Sequence, residues 1–344
     1  MLTILISTMN RSAFLIRLLK YFNDTGCRYP VVVGDSSNTE EFEKTRTAIE
    51  KDLSGLDVVQ IACPGMTNGA CLRKISGNVR TKYVAFIADD DYLIHSNFAE
   101  CVDFLEKNPD YSCAHGLGVI LWLKKDGVYG EIKAAISYKM PVIEDGTAVE
   151  RYLHLNRSFN TGIFSVHRTD VWEKMWEESE KVVDRSLGEE VLACSIAAIR
   201  GKVKQIDKLY LVRQDHESRY LLSGPYEWIT SKIWHSSWGN YIDIISRSIA
   251  QTDGLDIEKA VQTANLGFKV YLQQIMGASN VRSTLPNEYL DVFTRRICNL
   301  FHRIMPLRSI SLRSLMDKRS PYHKDFLPVL RSLTGSAETR KESE

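Results

Sequence analysis

Three consecutive carboxylates, Asp89, Asp90 and Asp91, are the sharpest chemical feature of the sequence. They follow an apolar segment, Tyr83 to Ala88, whose composition is that of a buried strand. In an open α/β sheet, ligands bind outside the carboxyl ends of the strands. Adjacent carboxylates repel one another unless a cation neutralises them, and oxygen ligands suit Mg²⁺ or Mn²⁺ bound with substrate phosphates. The run predicts such a metal site or, alternatively, a solvated turn in which an Asp caps the next helix.

Two other positions could take part in the same chemistry. Glu189 and Glu190 follow Gly188 at the start of a predicted helix, where a carboxylate either caps the helix or accepts a proton from an attacking hydroxyl. His216 follows a predicted strand and lies among polar residues, a position open to a metal ligand and to a structural histidine alike. Only in combination with the Asp run do these residues indicate a catalytic site.

Several other classes of protein are excluded by missing motifs and by charge. The sequence has no GxGxxG after its first strand, no GxxxxGK[ST] and no GxSxG, so it lacks a dinucleotide-binding loop, a P-loop and a hydrolase nucleophile elbow. Its 44 Lys and Arg residues against 43 Asp and Glu give a net charge of +1. That balance lacks the basic surplus of a general nucleic-acid binder, so we expect no nucleic-acid partner.

Alternating strands and helices must position these residues. Buried strands are predicted at Leu2 to Ser7, Pro30 to Gly34, Asp57 to Ala62 and Tyr83 to Ala88, with helical segments between them. Strands buried on both faces with helices between them predict an α/β fold with a mainly parallel sheet. Further on, the patterns predict one or two strands interrupted by glycines over Tyr111 to Leu123, a strand over Gly162 to His167, and a helix over Gly188 to Ile199.

The length of 344 residues predicts about two structural units. The Gly224-Pro225 step is the best boundary, and the pattern beyond it is mostly helical. We therefore expect an α/β unit over residues 1–222, a helical unit over 223–334 and a polar, disordered tail over 335–344.

The cysteines and the apolar runs bear on location. The 7 cysteines include no CxxC pair, which argues against a zinc site and a disulfide framework. The opening segment lacks the features of a signal peptide, and no apolar run approaches the roughly 20 residues that cross a bilayer. We expect a cytoplasmic protein.

The order of these signals resembles glycosyltransferase family 2, the inverting nucleotide-sugar transferases of the GT-A fold, over roughly the first 220 residues. The resemblance rests on seven short matches: Ser7-Thr8-Met9-Asn10-Arg11 after the first strand, Asp35 after the second, Asn68-Gly69 before Arg73-Lys74, the run Ala88-Asp89-Asp90-Asp91, Asn160-Thr161-Gly162, Glu189-Glu190, and the late His216.

The resemblance implies a GT-A fold and a role for each matching residue. It assigns the catalytic base to Glu190, with Glu189 as its rival, and a Mg²⁺ or Mn²⁺ ion to Asp91 and Asp89 with His216. Nucleotide-sugar contacts are implied for Thr8, Asn10, Arg11, Asp35, Asn68, Arg73, Lys74, Asp89, Asp90, Thr161, Gly162 and Arg213.

Three departures from the family pattern affect these assignments. Ser7 replaces the usual Pro, and Ala88 stands where many members have the first Asp, so which of the three Asp residues binds metal stays open. Glu190 stands in the place of the catalytic Asp and is one methylene longer.

The implied activity is a single displacement in which a sugar passes from a UDP, GDP or dTDP donor to a hydroxyl of a glycan or lipid-linked glycan. A surface polysaccharide such as lipopolysaccharide or capsule would be the product. The alternatives are a sugar nucleotidyltransferase and a catalytically silent GT-A-like binding protein.

The helical region adds two hypotheses of its own. The stripe formed by Trp228, Trp234, Trp238 and Tyr241 fits core packing better than an acceptor site that stacks on sugars. The basic, apolar stretch from Thr294 to Met316 fits a helix lying on an anionic membrane at the inner face of the cell, or equally a homodimer interface.

Overall fold

A computed structural model describes residues 2–219, 225–284 and 310–335 of the chain. Its strands are β1 (Leu2–Thr8), β2 (Val31–Asp35), β3 (Val58–Ala62), β4 (Tyr83–Ala88), β5 (Tyr92–Leu93), β6 (Tyr111–Leu123), β7 (Ile132–Tyr138), β8 (Val166–Arg168) and β9 (Lys202–Asp215). They form one nine-stranded sheet in the order β3-β2-β1-β4-β8-β6-β9-β5, and β7 pairs with β6.

The main helices lie between and after these strands. They are α1 (Ser12–Asp24), α2 (Thr39–Asp52), α3 (Asn68–Ser76), α4 (Phe98–Lys107), α5 (Ala148–Arg157), α6 (Thr169–Glu177), α7 (Leu192–Arg200), α8 (Pro225–Ile229), α9 (Trp234–Asp253) and α10 (Ile257–Thr284). Two more follow, Leu312–Met316 and His323–Thr334, and the second is called the C-terminal helix below.

The first four strands confirm the predicted parallel arrangement. Strand β1 pairs in parallel with β2 and with β4, and β2 pairs in parallel with β3. The register sets Thr8 opposite Asp35 and Ser7 opposite Ala88, so the carboxyl ends of β1, β2 and β4 meet at one edge of the sheet. The Asp run that follows Ala88 therefore lies at the edge where ligands bind in folds of this kind. The predicted α/β fold with a mainly parallel sheet is confirmed.

Strand β6 is continuous where the sequence predicts interruptions at glycine. A Cβ added at Gly116 would lie 2.3 Å from the Lys208 carbonyl oxygen, and one at Gly118 would lie 2.9 Å from that of Tyr138. The glycines therefore let β9 and β7 approach β6 closely, and the β6–β9 register shifts around them. They mark bulges within the strand and do not end it.

The predicted strand over Gly162 to His167 is wrong in its first half. Strand β8 begins only at Val166, because Ser165 closes a turn by donating both its backbone N–H, at 3.1 Å, and its hydroxyl, at 2.7 Å, to the Gly162 carbonyl oxygen. The polar turn competes successfully with strand pairing at this point.

The helices after residue 225 pack onto the α/β part of the chain. Trp228 and Tyr241 are buried, and the Tyr241 hydroxyl lies 3.1 Å from that of Tyr152 on α5. The aromatic stripe is therefore core at these two positions, as the sequence favours. Helix α10 crosses α5 at Gly267, where a Cβ would lie 2.3 Å from the Tyr152 ring.

The C-terminal helix packs against the sheet near Tyr92 and the turn between β6 and β7. The Ser332 hydroxyl lies 3.1 Å from that of Tyr92, and the Leu333 carbonyl oxygen accepts a hydrogen bond of 2.8 Å from the Gly130 N–H. Part of the region assigned to a helical unit thus packs on β9 and α1. The division at residue 222 stays a prediction, because residues 220–224 lie outside the described ranges.

Several other expectations fall wholly or partly outside those ranges. The tail over 336–344 is one, and of the stretch from Thr294 to Met316 only residues 310–316 are described. None of the helices that the structure describes has the length and apolarity needed to cross a bilayer. The six cysteines in the described ranges are buried, and none of these six forms a disulfide bond there.

Candidate active site

The loop after β4 holds the three carboxylates in a buried position. Asp89, Asp90 and Asp91, called the Asp cluster below, are respectively 0, 7 and 1% exposed. The Thr8 hydroxyl donates a hydrogen bond of 2.6 Å to Asp89 Oδ2. Arg11 follows β1 and forms ion pairs with Asp89 Oδ1 at 2.5 Å and with Asp90 Oδ2 at 2.7 Å. The Thr-x-Asn-Arg turn and the Asp run therefore form one site.

The end of β9 supplies the other partners of the cluster. Arg213 Nε donates to Asp91 Oδ2 at 2.9 Å, and the Gln214 backbone N–H donates to Asp91 Oδ1 at 2.9 Å. His216 Nε2 lies 2.9 Å from Asp90 Oδ2. Each carboxylate thus has a different set of partners, and the histidine faces Asp90, whereas the resemblance paired it with Asp89 and Asp91.

These surroundings separate the pKa values of the three carboxyls. Burial raises the pKa of Asp89 to about 7 and that of Asp91 to about 6. Burial acts on Asp90 in the same direction, but the hydrogen bond with His216 and the charge of Arg11 outweigh it, so the pKa of Asp90 is lowered. Asp90 is therefore the member of the cluster that stays ionised most readily.

The two glutamates that the sequence leaves as rivals occupy different environments. Glu189 Oε1 accepts the Gly69 N–H at 2.9 Å, at the start of α3, and its Oε2 accepts Arg185 Nε at 2.7 Å. Burial raises the pKa of Glu190, while the charge of Arg213 and a hydrogen bond from Thr161 act in the opposite direction. Glu189 thus caps a helix, whereas Glu190 has the raised pKa expected of a general base.

A short π-helical turn, Ser186–Val191, presents both glutamates and runs directly into α7, where the sequence predicts a regular helix. A Cβ at Gly188 would lie 2.4 Å from the Val182 carbonyl oxygen, so only glycine fits there. Asp184 fixes the start of the turn by accepting the Leu187 N–H at 2.9 Å and Trp228 Nε1 at 2.5 Å. Helix α8 therefore helps to orient the segment that carries Glu190. Such π-turns are frequent at functional sites.

Arg213 contacts the Asp cluster, and its charge acts on Glu190. Besides Asp91, it donates from Nη1 to the Tyr138 hydroxyl at 3.1 Å, and its guanidinium lies 4.9 Å from the centre of the Phe164 ring. One arginine thus links the acidic loop after β4 to the candidate base.

The end of β2 forms the other side of the site. Asp35 is buried, and its carboxylate accepts the Ser37 N–H at 2.9 Å and Gln60 Nε2 at 2.8 Å. The neighbouring Asn10 has a φ of 55°, and its N–H donates to Ser37 Oγ at 2.7 Å. This left-handed residue turns the chain from β1 towards the Asp35 loop, next to Thr8.

Two residues expected at the nucleotide, Arg73 and Lys74, have other partners, and a third, Asn68, lies in a helix. Arg73 Nη1 forms an ion pair with Glu180 at 2.7 Å, and Lys74 Nζ donates to the Ala62 carbonyl oxygen at 2.7 Å. Asn68 lies in the first turn of α3 and not in a separate Asn-Gly turn. The structure therefore joins neither Arg73 nor Lys74 to the Asp cluster.

The small-residue loop does lie beside the candidate base. The Thr161 hydroxyl is 3.6 Å from Cys194 Sγ, and the Gly162 N–H donates to the same sulfur at 3.3 Å. A Cβ at Gly162 would lie 2.9 Å from Pro141 Cγ, which explains the glycine. This loop forms the wall next to Glu190.

Sequence reasoning missed four residues of the site. Phe14 stacks on the His216 ring with centroids 4.5 Å apart, Tyr138 contacts Arg213, and Gln214 and Arg17 lie behind the cluster. A signal existed only for Arg17, which interrupts an otherwise apolar face of α1.

The donor set near Asp90 suits a divalent cation only in part. Among the described residues, no group of three or more His, Cys, Asp or Glu side chains could hold a metal ion. Asp90 and His216 supply one carboxylate and one imidazole, 2.9 Å apart. Because Mg²⁺ commonly takes one or two carboxylates and completes its shell with water and substrate phosphates, this pair could hold a cation only together with ligands from outside the chain.

Known proteins match the chain in structure but not in sequence. No protein-family model and no curated protein sequence matches it. The crystal structure of Staphylococcus aureus TarS residues 1–349 in complex with UDP-GlcNAc matches with a TM-score of 0.51 and 14% identity, over 100% of this chain and 92% of that one. The complex of the same protein with UDP gives a TM-score of 0.49 and 13% identity over the same shares. At this level of identity the likeness establishes the fold.

Proposed function

We propose that the chain is a glycosyltransferase that moves a sugar from a nucleotide-sugar donor to a hydroxyl group. One observation carries the proposal: the Asp cluster and Glu190, from separate parts of the chain, both interact with Arg213 at the ligand-binding edge of the sheet. A donor diphosphate beside the cluster would leave its sugar facing the candidate base. The TarS complex with UDP-GlcNAc, which shares the fold, supports a nucleotide sugar as the ligand.

The proposed reaction is a single displacement with inversion. Glu190 accepts the proton of the acceptor hydroxyl, whose oxygen attacks the anomeric carbon as the bond to the diphosphate breaks. Arg11 and Arg213 border the cluster and would contact the phosphate oxygens of the leaving group. Asp35, at the end of β2, would meet the nucleobase.

Asp90 and His216 would hold a Mg²⁺ or Mn²⁺ ion. When bound, such an ion neutralises the negative charge of the diphosphate. The lowered pKa of Asp90 supports its assignment as the carboxylate ligand, because a cation needs the ionised form.

The acceptor in this proposal is a glycan or a lipid-linked glycan of a surface polysaccharide. We place the reaction in the cytoplasm, where nucleotide sugars are made, with contact to the inner face of the membrane as the route to a lipid-linked acceptor.

A screen for joint stabilisation tests the proposed function. The melting temperature is measured with UDP, GDP or dTDP, each with Mn²⁺ or with a chelator, and hydrolysis of UDP-GlcNAc is followed in parallel. We expect one nucleotide and Mn²⁺ together to raise the melting temperature more than the sum of their separate effects. The Asp90→Asn variant should lose the joint effect, whereas Asp110→Asn, a surface control, should keep it.

Three results would contradict the proposal. Lack of any joint shift across the nucleotides would argue against a nucleotide-sugar site. Release of pyrophosphate from a nucleoside triphosphate and a sugar phosphate would indicate a nucleotidyltransferase. Binding of nucleotide sugars without hydrolysis or transfer to any glycan would indicate a silent binding protein.

A further inference from the structure

Arg17 is a fully buried arginine behind the Asp cluster. Its side chain leaves α1, and it is 0% exposed. Nη2 donates to the Asp90 backbone carbonyl oxygen at 2.8 Å, and Nη1 donates to Gln214 Oε1 at 2.5 Å and to the Val128 carbonyl oxygen. One guanidinium therefore joins α1 to the β4 loop, to β9 and to the turn between β6 and β7.

The charge of Arg17 has no direct ionic partner in the part of the chain that the structure describes. Every oxygen that it reaches there belongs to a neutral carbonyl or amide group, and its Nε is buried without a hydrogen-bond partner. The rings of Phe14 and Tyr92 lie 5.1 and 4.8 Å from the guanidinium carbon. Burying a charge in this way is costly, and an apolar side chain of similar volume often packs with equal or greater stability. Stability alone therefore does not account for an arginine at this position.

Three contacts of Arg17, with the Asp90 carbonyl oxygen, Gln214 and Phe14, lead to members of the site. The carbonyl oxygen that Nη2 contacts is that of Asp90 itself. Gln214, held through its side chain, donates its backbone N–H to Asp91 at 2.9 Å. Phe14, one helical turn before Arg17, stacks on the His216 ring at 4.5 Å. The orientation of both candidate cation ligands thus depends on groups in contact with Arg17.

Arg17 also differs from the other arginines in how it meets the cluster. Arg11 and Arg213 cover carboxylate oxygens directly. Arg17 instead lies on the backbone side of the cluster, where it contacts the Asp90 carbonyl oxygen and no carboxylate oxygen. Because Arg17 is buried, little water screens its positive charge from the carboxylates.

We infer that Arg17 is a positioning residue for diphosphate and cation binding, which offsets the charge of the Asp cluster and orients Asp90 and His216. The inference rests on the proposed function, because it takes the ligand to be the diphosphate of a nucleotide. It assigns Arg17 no contact with the substrate.

The test compares two ligands on four forms of the full chain. Affinities for UDP and for uridine are measured by calorimetry in Mn²⁺, using wild type, Arg17→Met, Arg17→Lys and Arg151→Met. Arg151 is a matched control, since it is also buried and donates to carbonyl oxygens, here those of Ala198 and Ile199 at the end of α7. Uridine lacks the diphosphate, so it separates a local effect at the cluster from a general loss of structure.

We expect Arg17→Met to weaken UDP binding by about 10- to 100-fold, as for other residues that orient metal ligands, and to leave uridine binding within about twofold. Arg17→Lys, which keeps the charge, should recover part of the loss, and Arg151→Met should lower the melting temperature without changing the ratio of the two affinities. Unchanged UDP binding by Arg17→Met would overturn the inference, and so would an equal loss for UDP and uridine.

A second variant covers the case in which Arg17→Met does not fold. Gln214→Leu removes one of the two acceptors of Arg17 Nη1 but keeps both the arginine and the backbone N–H at position 214. It should weaken UDP binding and spare uridine binding, and an unchanged UDP affinity would contradict the inference. If the wild type binds neither UDP nor any other nucleoside diphosphate, the proposed function fails, which is a different result from normal UDP binding by the variants.

Discussion

At the scale of single residues, the two neighbouring glutamates show how the environment divides similar side chains between roles. Glu189 accepts hydrogen bonds from the Gly69 N–H and from Arg185, so its carboxylate caps the start of α3. Glu190 is half-buried, and burial raises its pKa while the charge of Arg213 acts in the opposite direction. A carboxylate whose pKa lies closer to neutrality is a better proton acceptor for an attacking hydroxyl.

The first prediction concerns this pair. Glu190→Gln should lower kcat by about 100-fold or more with little change in the KM of the donor, because the base acts on the acceptor. Glu189→Gln should mainly lower the melting temperature. Steady-state kinetics and thermal unfolding of both variants make the comparison, and a larger kcat loss in Glu189→Gln would exchange the assigned roles.

The pH dependence of the reaction gives a second prediction. The base must be ionised, so activity is present above the pKa of Glu190 and is lost as pH falls through it. Because burial raises that pKa, the acid limb of the kcat/KM profile should lie above the ordinary value of about 4.3 for glutamic acid. A profile that stays flat down to that value, measured where the protein remains folded, would argue against Glu190 as the base.

A third prediction concerns His167, whose ring is fully buried in β8. Burial lowers the pKa of His167 to about 4, against about 6.5 in an unfolded chain. As pH falls, the unfolded state binds a proton at His167 before the folded state does. The contribution of His167 to the free energy of unfolding is therefore constant above about pH 6.5, and the free energy decreases as pH drops towards 4.

Chemical denaturation at a series of pH values measures this effect. His167→Gln should reduce the slope of unfolding free energy against pH by up to about 1.4 kcal/mol per pH unit. His95 and His115, whose pKa values burial also lowers, remain as an internal reference in the variant. An unchanged slope would show that His167 does not titrate in this way.

At the scale of elements, α10 packs closely against α5 at Gly267. Gly267→Ala would place a methyl group against the Tyr152 ring and should destabilise the protein by about 1–3 kcal/mol, although alanine is the better helix former. Gly277 lies in the same helix, is exposed and has no atom within 4 Å of an added Cβ, so Gly277→Ala should stabilise by up to about 1 kcal/mol. Denaturant unfolding of the two variants gives both values, and equal shifts would contradict the close contact.

The elements also show what sequence patterns can and cannot reveal. Strands β1, β2 and β4 were predictable because each is a continuous buried run, and the Asp run follows β4. The prediction that β3 is also buried is wrong, because β3 lies at the edge of the sheet and is only partly covered. The continuity of β6 through Gly116 and Gly118 was not, since it depends on how closely β7 and β9 approach. The pairing of His216 with Asp90 likewise depends on the pairing of β9 with β5, the short strand that directly follows the Asp run, and it is a contact across 126 positions of sequence.

At the scale of the whole molecule, one hydrophobic core joins the sheet to the helices that follow it. Leu2 and Ile4 of β1 belong to the same buried cluster as Tyr241 of α9 and Phe326 of the C-terminal helix. Far-UV circular dichroism and tryptophan fluorescence should therefore report one coincident unfolding transition.

Phe326→Ala provides the test of that cooperativity. Phe326 is 1% exposed, and its truncation should lower the unfolding free energy by about 3–5 kcal/mol by both probes, while Met316→Ala, at an exposed position, should change it little. A Phe326→Ala transition that shifts by one probe only would show that the C-terminal helix unfolds independently.

The contact between the C-terminal helix and Tyr92 has a consequence for biosynthesis. Tyr92 directly follows the Asp cluster, and its ring lies beneath the Arg17 guanidinium, yet its hydroxyl partner is Ser332. During translation, the strands that carry the cluster leave the ribosome long before the residue that completes their packing. A nascent chain would therefore hold its acidic loop in an incompletely packed state until the C-terminal helix described here has been made, and chaperone binding to that intermediate would depend on this helix.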